Sequence, residues 1–261
     1  MCARYPFCPL QGRTIDLALP RVFAKLVESE RGGLCLETNG LCAAALGALG
    51  FAVALRHARV WLRAAAGYTP NDPPNSRQHM VLVVKTDDGA AWLVDVGFGG
   101  GGPAIPLRLD GNGAVVRSHG ECFRAQAGDA SAGEDSWVIW HVAAGAWRRM
   151  YSFEHVSADC PRVHAADFLL CSHFVQCAPG QLFRTTRFAT RPTPRGRVML
   201  LKHELRESGP EAEGAEPEVR VTPLRDAAQL AQAALQHLGI RLTAEEASTI
   251  FDADVLQEAP A

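Results

Sequence analysis

The chain has 261 residues, of which 48% are hydrophobic and 21% charged, and its formal net charge is −2. This length and apolar content are enough for a sizeable core in one or two domains, and the small net charge gives no general attraction to nucleic acid or to an anionic membrane. No apolar run approaches the roughly 20 residues that span a bilayer, and no basic-then-apolar leader opens the chain.

The eight cysteines are spread along the whole chain and are not accompanied by a secretion signal. Disulfide frameworks occur mainly in small secreted domains, whereas thiols in cytoplasmic proteins stay reduced. We therefore expect reduced cysteines and a cytoplasmic location. A reducing compartment would also keep a catalytic thiol active.

Two helices are predicted near the start of the chain, separated by the sequence Ser-Glu-Arg-Gly-Gly-Leu at 29–34. Residues 17–28 repeat apolar side chains at three-to-four spacing. Residues 35–49 contain three adjacent alanines and are followed by Gly50, which is a typical helix end. Cys35 thus begins a helix, where the helix dipole and the nearby charge of Arg31 both favour the nucleophilic thiolate. A buried structural cysteine at a capping turn is the alternative interpretation.

A β-hairpin is predicted next. The apolar runs 78–85 and 91–98 flank an Asp-Gly turn. If residues 86–88 form the loop, His79 and Asp95 lie opposite each other on one sheet face, with their Cβ atoms about 4.5–5.5 Å apart; a different loop length makes the pair diagonal. An aspartate in an apolar strand needs a polar partner, and His79 is the obvious one.

Cys35, His79 and Asp95 together provide a nucleophile, a base and an orienting carboxylate. Asp95 would hold the ring tautomer, His79 would accept the thiol proton, and Cys35 would attack an acyl carbon. These residues alone are compatible with a papain-like hydrolase, a transglutaminase-like enzyme or an acyltransferase.

A glycine-rich segment, residues 97–102, follows Asp95 and contains Phe98. Its backbone can approach a ligand closely, but it lacks the lysine and the following helix of nucleotide-binding fingerprints, so a flexible turn is the alternative. The last helix should begin with a capping box of Thr243 and Glu246. The other predicted elements are strands over 51–60, 122–125, 137–142, 147–153, 181–189, 197–206 and 218–221, and helices over 165–175, 226–238 and 243–252.

A scattered group of cysteines and histidines lies between residues 160 and 177. Structural zinc sites use closely spaced cysteine pairs, which this segment lacks, so no metal site is predicted. The other histidines, including His57, His141 and His237, have no carboxylate at motif spacing and are expected to be ordinary core or surface residues.

Three motifs resemble the arylamine N-acetyltransferase family in order and spacing: Arg-Gly-Gly-x-Cys at 31–35, His79 before Met-Val-Leu-Val, and Val-Asp-Val-Gly-Phe-Gly at 94–99. The similarity runs from about Tyr5 to Phe251. It implies an α+β fold with a cysteine-protease-like catalytic core, a shortened N-terminal helical part, a central antiparallel β-barrel or sheet and a C-terminal α/β lid.

The same reading predicts three domains, one after another along the chain. The first, 1–50, is helical and carries the cysteine. The second, 51–160, is rich in strands and carries His79 and Asp95. The third, 161–261, combines strands and helices.

The resemblance implies acetyl transfer by a ping-pong mechanism. Cys35 would take the acetyl group from acetyl-CoA, a co-substrate rather than a tightly bound cofactor, and pass it to an arylamine, an arylhydrazine or an N-hydroxyarylamine. Neither nucleic acid nor a membrane is an expected partner. The residues expected to approach coenzyme A are Gly97, Phe98, Gly99, Gly100, Gly101 and Gly102. The residues expected to line the substrate pocket are Phe7, Val60, Phe98 and Phe183, and those expected to support the cysteine motif are Arg31, Gly32, Gly33 and Glu37.

The sequence departs from the family pattern near its start. The family places Pro-Phe-Glu-Asn-Leu after a pair of helices, whereas this chain has Pro-Phe-Cys-Pro-Leu at 6–10. The first helical layer is therefore expected to be missing, and Arg31 to lack the Glu and Asn partners of the family pattern, unless Glu28, Glu30 or Glu37 substitutes. Alternatives that stay open are another acyl donor, an amide synthase, a cysteine hydrolase and an inactive truncated homologue.

Overall fold

The structure is a computed structural model that describes residues 15–61, 76–128, 136–143, 145–154, 163–179, 183, 186–210 and 218–258, with side chains up to 252. Eight antiparallel strands form one strongly curved sheet, and four more form a second sheet near the C-terminus. Along the chain, helices come before the strands of the first sheet, between the strands of the two sheets, and after the strands of the second sheet. This arrangement confirms the predicted α+β class.

The large sheet has the strand order β4-β3-β2-β1-β8-β7-β6-β5. Because β1 pairs with both β2 and β8, the two halves of this sheet meet at β1. Its strands are β1 Ala52–Val60, β2 Arg77–Lys85, β3 Ala91–Val94, β4 Leu107–Arg108, β5 Val116–Ser118, β6 Glu121–Ala127, β7 Ser136–Ala143 and β8 Ala146–Glu154.

Strand β2 is apolar on both faces because it separates two parts of the core. Val81 and Val83 pack into the cluster inside the curved sheet. The alternate residues, from Met80 to Val84, pack against the cluster that contains Cys35. Successive side chains of a strand point to opposite faces, so the continuous apolar run places β2 between the sheet interior and the cysteine helix.

The helical elements include two that end in a π-helical turn. Helix α1 is Leu19–Phe23 followed by the π turn Ala24–Glu28, and α4 is Ala227–Ala233 followed by Ala234–Leu238. The others are α2 Cys35–Ala48, the short 3₁₀ helix Ala165–Asp167 leading into α3 Phe168–Cys177, and α5 Ala244–Glu258.

The second sheet and the last two helices share a core of their own. Its strands, in the order β12-β11-β10-β9, are β9 Phe188–Thr193, β10 Gly196–Leu201, β11 Glu204–Ser208 and β12 Val219–Pro223. Leu230 and Leu238 of α4 and Ile250 of α5 pack on Val198 and Leu200 of β10. The capping box of α5 is present, since the backbone N–H of Glu246 donates to Thr243 Oγ1 at 3.2 Å.

The structure corrects the hairpin and two other predicted strands. In the hairpin, Lys85 pairs with Ala91, so the loop spans 86–90. Its second strand ends at Val94 rather than at 98. The strand predicted over 181–189 begins only at Phe188. The strand predicted over 197–206 is two strands, because Lys202 adopts a positive φ of 50° in a tight turn.

The domain boundaries at residues 50 and 160 stay a prediction. Phe7 and the segment that replaces the family motif lie outside the described residues. Of the helices that the structure describes, none has the length and hydropathy to cross a membrane. Within the described ranges, no group of three or more His, Cys, Asp and Glu side chains could hold a metal ion.

Candidate functional site

Cys35 is the first residue of helix α2, as predicted, and its side chain is buried. The turn before it is held by Glu37, whose Oε2 accepts the Leu34 backbone N–H at 2.9 Å. Lys25 Nζ donates to the other oxygen of Glu37 at 2.6 Å. Gly33 leaves room for this packing, since a Cβ there would lie 2.8 Å from Leu26 Cδ2. These contacts fix the position from which the thiol projects.

Gly32 and Gly33 are both buried beside this turn. Arg31 binds a carboxylate far along the chain. Its guanidinium binds Glu246 of α5 through both nitrogens and donates to the Arg241 carbonyl at 2.7 Å. The charge of Arg31 is therefore paired with a carboxylate, and its effect on the Cys35 thiol stays a prediction.

His79 and Asp95 do meet, although not in the predicted register. His79 Nε2 lies 2.7 Å from Asp95 Oδ2, and both side chains are almost fully buried. The observed pairing of Leu82 with Val94 makes the two residues diagonal neighbours. Both still point to the same sheet face because the register differs by two residues, and side-chain direction has a period of two.

Asp95 is held in place by three further hydrogen bonds to its Oδ1 atom. The backbone N–H groups of Gly97 and Phe98 donate at 2.8 and 3.0 Å, and Asn39 Nδ2 donates at 2.9 Å. Burial alone would raise the pKa of Asp95, but the charge of His79 and these hydrogen bonds lower it below its usual value. The carboxylate is therefore ionised and rigidly oriented.

Asn39 connects the cysteine helix to both strands of the hairpin. Its Nδ2 also donates to the Met80 carbonyl at 2.6 Å, and its Oδ1 accepts the Val96 N–H at 2.8 Å. Asn39 is not among the site residues predicted from the sequence. Its position four residues after Cys35 could have indicated it, since residues four apart lie on the same face of a helix.

Cys35 Sγ lies 3.9 Å from the backbone carbonyl of Gln78, the residue before His79. Burial opposes a charge on the His79 ring, but the charges and hydrogen bonds of Asp95 and Cys35 outweigh that effect and raise the pKa of His79 to about 9. At neutral pH the ring is therefore protonated. By reciprocity, a protonated imidazole favours the thiolate form of the neighbouring cysteine.

Two aromatic rings enclose His79. The ring centroid of Phe98 lies 5.1 Å away in an edge-on arrangement, and that of Tyr151 lies 5.2 Å away. Phe98 and Tyr151 also contact each other at 4.8 Å. Burial and the charge of Asp95 raise the pKa of Tyr151 well above its usual value, so this side chain stays neutral. The imidazole is thus shielded from water on two sides.

The structure places the other predicted pocket residues in packed clusters. Val60 pairs with Tyr151 across β1 and β8 and packs on the cluster that contains Phe98. Phe183 packs on the cluster that contains Cys35, and its ring stacks on Phe188 at 5.9 Å. Their roles as pocket residues stay predictions.

The glycine segment after Asp95 is packed against both the cysteine helix and the second sheet. At Gly97, a Cβ would lie 2.7 Å from Cys35 Cα and 2.8 Å from Thr38 Oγ1. Further along, the carbonyls of Gly99 and Gly102 accept hydrogen bonds from Arg197 at 2.7 and 2.9 Å. The segment therefore has a defined conformation.

Arg197 belongs to a buried charge network that the sequence did not reveal. Its guanidinium binds Glu121 through Nε at 2.9 Å and Nη2 at 2.7 Å. His141 Nε2 lies 3.6 Å from the same carboxylate, and His141 is a buried residue, as expected for a histidine outside a motif. Burial would raise the pKa of Glu121, but hydrogen bonds from His141 and Arg197 lower it.

A surface cavity of about 210 Å³ lies beside the glycine segment. Asp95, Gly99, Gly102 and Arg197 contribute to its lining, with the proline-rich residues 103–106. Of the described residues, Cys35, His79 and Phe98 do not line it. The cavity thus borders the glycine segment and Arg197.

A family model described as N-acetyltransferase matches residues 7–247, almost the full chain. The chain belongs to the arylamine N-acetyltransferase family. Among its curated relatives, the Salmonella typhimurium arylamine N-acetyltransferase / N-hydroxyarylamine O-acetyltransferase is 33% identical over 64% of this chain and 62% of that protein. The Mycolicibacterium smegmatis arylamine N-acetyltransferase is 36% identical over 68% of this chain and 60% of that protein.

Solved arylamine N-acetyltransferase structures share the fold. The Mycobacterium marinum enzyme is 27% identical with a TM-score of 0.81, over 97% of this chain and 87% of that one. Its structure in complex with CoA is 28% identical with a TM-score of 0.80, over 97% and 88%. By sequence, this chain matches about three-fifths of the length of the Salmonella and Mycolicibacterium relatives.

Proposed function

We propose that this arylamine N-acetyltransferase family member transfers acetyl groups from acetyl-CoA to arylamines, arylhydrazines or N-hydroxyarylamines. The observation that carries the proposal is that Cys35 Sγ lies 3.9 Å from the carbonyl of Gln78, the residue before His79, while His79 Nε2 lies 2.7 Å from Asp95 Oδ2. In this proposal Cys35, His79 and Asp95 form a catalytic triad, and the acetyl group is carried as a thioester on Cys35.

The first half-reaction starts from the thiolate and the protonated histidine. Cys35 attacks the acetyl carbonyl of acetyl-CoA, the bond to the coenzyme sulfur breaks, and His79 gives its proton to the departing thiolate. Asp95 holds the ring and stabilises its charge before the proton leaves. The products are acetyl-Cys35, neutral His79 and free coenzyme A.

The second half-reaction returns the enzyme to its starting state. The amine nitrogen attacks the thioester, neutral His79 accepts the proton that this nitrogen loses, and Cys35 leaves as a thiolate. The buried, largely apolar surroundings of Cys35 disfavour attack by water. The enclosing rings of Phe98 and Tyr151 act in the same direction.

The oxyanion formed in each step needs hydrogen-bond donors. The backbone N–H groups of Val96, Gly97 and Phe98 already donate to Asn39 and Asp95. The first turn of α2 is therefore the better source, since helix N-termini present N–H groups without intrahelical partners. The donors in this proposal lie next to Cys35 itself.

The glycine segment 97–102 is the proposed approach for coenzyme A. The supports are the neighbouring cavity of about 210 Å³ and the M. marinum relative whose structure is in complex with CoA. A cytoplasmic location belongs to the same proposal. The reaction requires Cys35 as a reduced thiol, which a reducing compartment maintains.

The deciding experiment is the intact mass of the protein after incubation with acetyl-CoA and no amine, followed by peptide mapping. We expect one added acetyl group on Cys35, which an arylamine or a hydrazine removes with formation of the acetylated product. Cys35→Ala should abolish both steps. Cys42→Ala is the matched control, because it removes another thiol from the same helix, and it should retain both.

Acetylation in Cys35→Ala would contradict the assignment of the nucleophile. A wild-type protein that is not acetylated but turns over a peptide or ester without coenzyme A would instead be a cysteine hydrolase. Labelling by a different acyl-CoA alone would keep the mechanism and change the donor.

A further inference from the structure

The loop that precedes Cys35 is tied to the C-terminal helix α5 through Arg31. Arg31 Nη1 donates to Glu246 Oε2 at 3.1 Å, Nη2 donates to Glu246 Oε1, and Nη1 also donates to the Arg241 carbonyl at 2.7 Å. Both side chains of the ion pair are about four-fifths buried, with exposed fractions of 18% and 20%. A two-pronged, partly buried contact of this kind fixes the orientation of the guanidinium as well as its position.

A second ion pair supports the same contact. Arg241 Nη2 donates to Glu30 Oε2 at 3.2 Å, so adjacent residues of the loop are paired with the same short segment. Glu30 has a positive φ of 50°, a conformation that few residues other than glycine adopt. The Arg31 N–H donates to the Lys25 carbonyl at 3.0 Å. The loop before Cys35 is thus held by the ion pair with Arg241 and by its backbone hydrogen bond to Lys25.

The other end of the contact is anchored firmly. Glu246 Oε2 also accepts the Thr243 N–H at 2.9 Å, as part of the capping box of α5. The helix behind it packs Ala247 and Ile250 into the core of the second sheet. Because α5 is packed into this core, the Glu246 carboxylate cannot easily move with Arg31. A displacement of Arg31 would therefore break the hydrogen bonds between them.

Arg31 lies four residues before Cys35, and the intervening residues are buried and tightly packed. We propose that Glu246 is a positioning residue for Cys35, acting through Arg31 to hold the turn from which the thiol meets His79. This inference goes beyond the triad and rests on Cys35 being the reactive thiol. It makes the reactivity of Cys35 depend on the seating of a helix that is more than 200 residues away in sequence.

The informative variant is Glu246→Gln. Glutamine keeps an acceptor for the Thr243 N–H, as capping boxes allow, and removes the charge that binds Arg31. Glu245→Gln is the matched control, because it makes the same charge change in the same helical turn at an exposed position. The double variant Arg31→Glu with Glu246→Arg tests whether a reversed ion pair restores the wild-type behaviour.

The readout is the pH profile of iodoacetamide alkylation at Cys35, followed by peptide mapping, which needs no acyl donor. If Glu246 positions the turn, Glu246→Gln shifts the profile to higher pH and lowers the rate at neutral pH about tenfold or more, since misplaced reacting groups lose rates of this order. Glu245→Gln should match the wild type, and the reversed pair should recover part of the loss.

Two outcomes would overturn the proposal. An unchanged profile in Glu246→Gln would show that the contact does not position Cys35. A shift to lower pH would show that Glu246 acts only by neutralising Arg31, because an uncompensated cation near the thiol favours the thiolate. Acetylation of the wild-type protein is measured separately, so a failure of the acetyltransferase assignment is distinguishable from a failure of this one.

Discussion

The protonation state of His79 depends on two neighbours. The ring is fully buried, and burial by itself would keep it neutral, yet Asp95 on one side and Cys35 on the other raise its pKa to about 9. The same pairing lowers the pKa of Asp95. A protonated ring in turn favours the thiolate form of Cys35, with the carboxylate behind the ring.

The pH dependence of Cys35 alkylation checks this state. The wild-type thiol should react with iodoacetamide well below the pKa of about 8.5 that a free cysteine shows. In His79→Gln the positive charge is lost, so the alkylation profile should move to higher pH. Exposed Cys177 is the internal reference in every sample, and its labelling should be the same in both proteins. An unchanged Cys35 profile would show that His79 does not influence the ionisation of the thiol.

The stability of the fold should follow the same titration. A group whose folded pKa is raised stabilises the protein fully below its unfolded pKa, about 6.5 for histidine, and the contribution is lost as pH rises through about 9. The free energy of unfolding measured with urea should therefore fall over that window in the wild type, and fall less in His79→Gln.

At the scale of elements, the site depends on how closely the hairpin approaches helix α2. The turn after β3 passes over the first residues of the helix, and Gly97 is the point of closest contact. Asn39 then links the helix to β2 and to the same turn. The distance between helix and hairpin thus sets the distance between the thiol and its base.

Two glycine substitutions test this approach. In Gly97→Ala the added Cβ would lie 2.7 Å from Cys35 Cα, a backbone atom that cannot rotate away. We expect a loss of about 1–3 kcal/mol in the free energy of unfolding, typical of overpacking, together with slower Cys35 alkylation. Gly47 lies in helix α2, and a Cβ there would meet nothing within 4 Å. Gly47→Ala should therefore raise the free energy of unfolding by up to about 1 kcal/mol through helix propensity. Equal effects of the two substitutions would contradict the close approach.

At the scale of the whole molecule, the two sheets are connected beneath the glycine segment. Arg197 lies in β10 of the second sheet. Its side chain binds Glu121 of β6 in the first sheet and donates to the carbonyls of Gly99 and Gly102. Arg31 and Glu246 form a second connection, between the cysteine turn and α5. The C-terminal part therefore holds two sides of the site.

Breaking the first connection should affect both stability and coenzyme binding. Arg197→Met leaves Glu121 buried without its guanidinium partner, and such a loss costs about 3–5 kcal/mol. The double variant Arg197→Met with Glu121→Gln removes both charges and should recover part of that stability. Because the glycine carbonyls stay untied in both proteins, KM for acetyl-CoA should rise in both while Cys35 alkylation changes little. A KM that recovers with stability would argue against a role for Arg197 in holding the segment.

The sequence by itself determined the family, the α+β class, the start of the cysteine helix and the identity of the three interacting residues. These follow from short-range patterns: a thiol after two glycines, an apolar run after a histidine, and an aspartate before a glycine-rich turn. Even with the hairpin loop miscounted by two residues, His79 and Asp95 were assigned correctly to the same face, because side-chain direction in a strand repeats every two residues.

Only the tertiary structure decided which distant groups complete the site. Arg31 is paired with Glu246 rather than with a nearby glutamate, Arg197 is paired with Glu121, and the N–H groups after Asp95 are already used. Side-chain partners separated by tens or hundreds of residues are set by how the sheets and helices pack, and local propensity carries no information about that packing. The chemistry of the site could thus be predicted from local sequence, whereas the contacts that hold it in place depend on the folded chain.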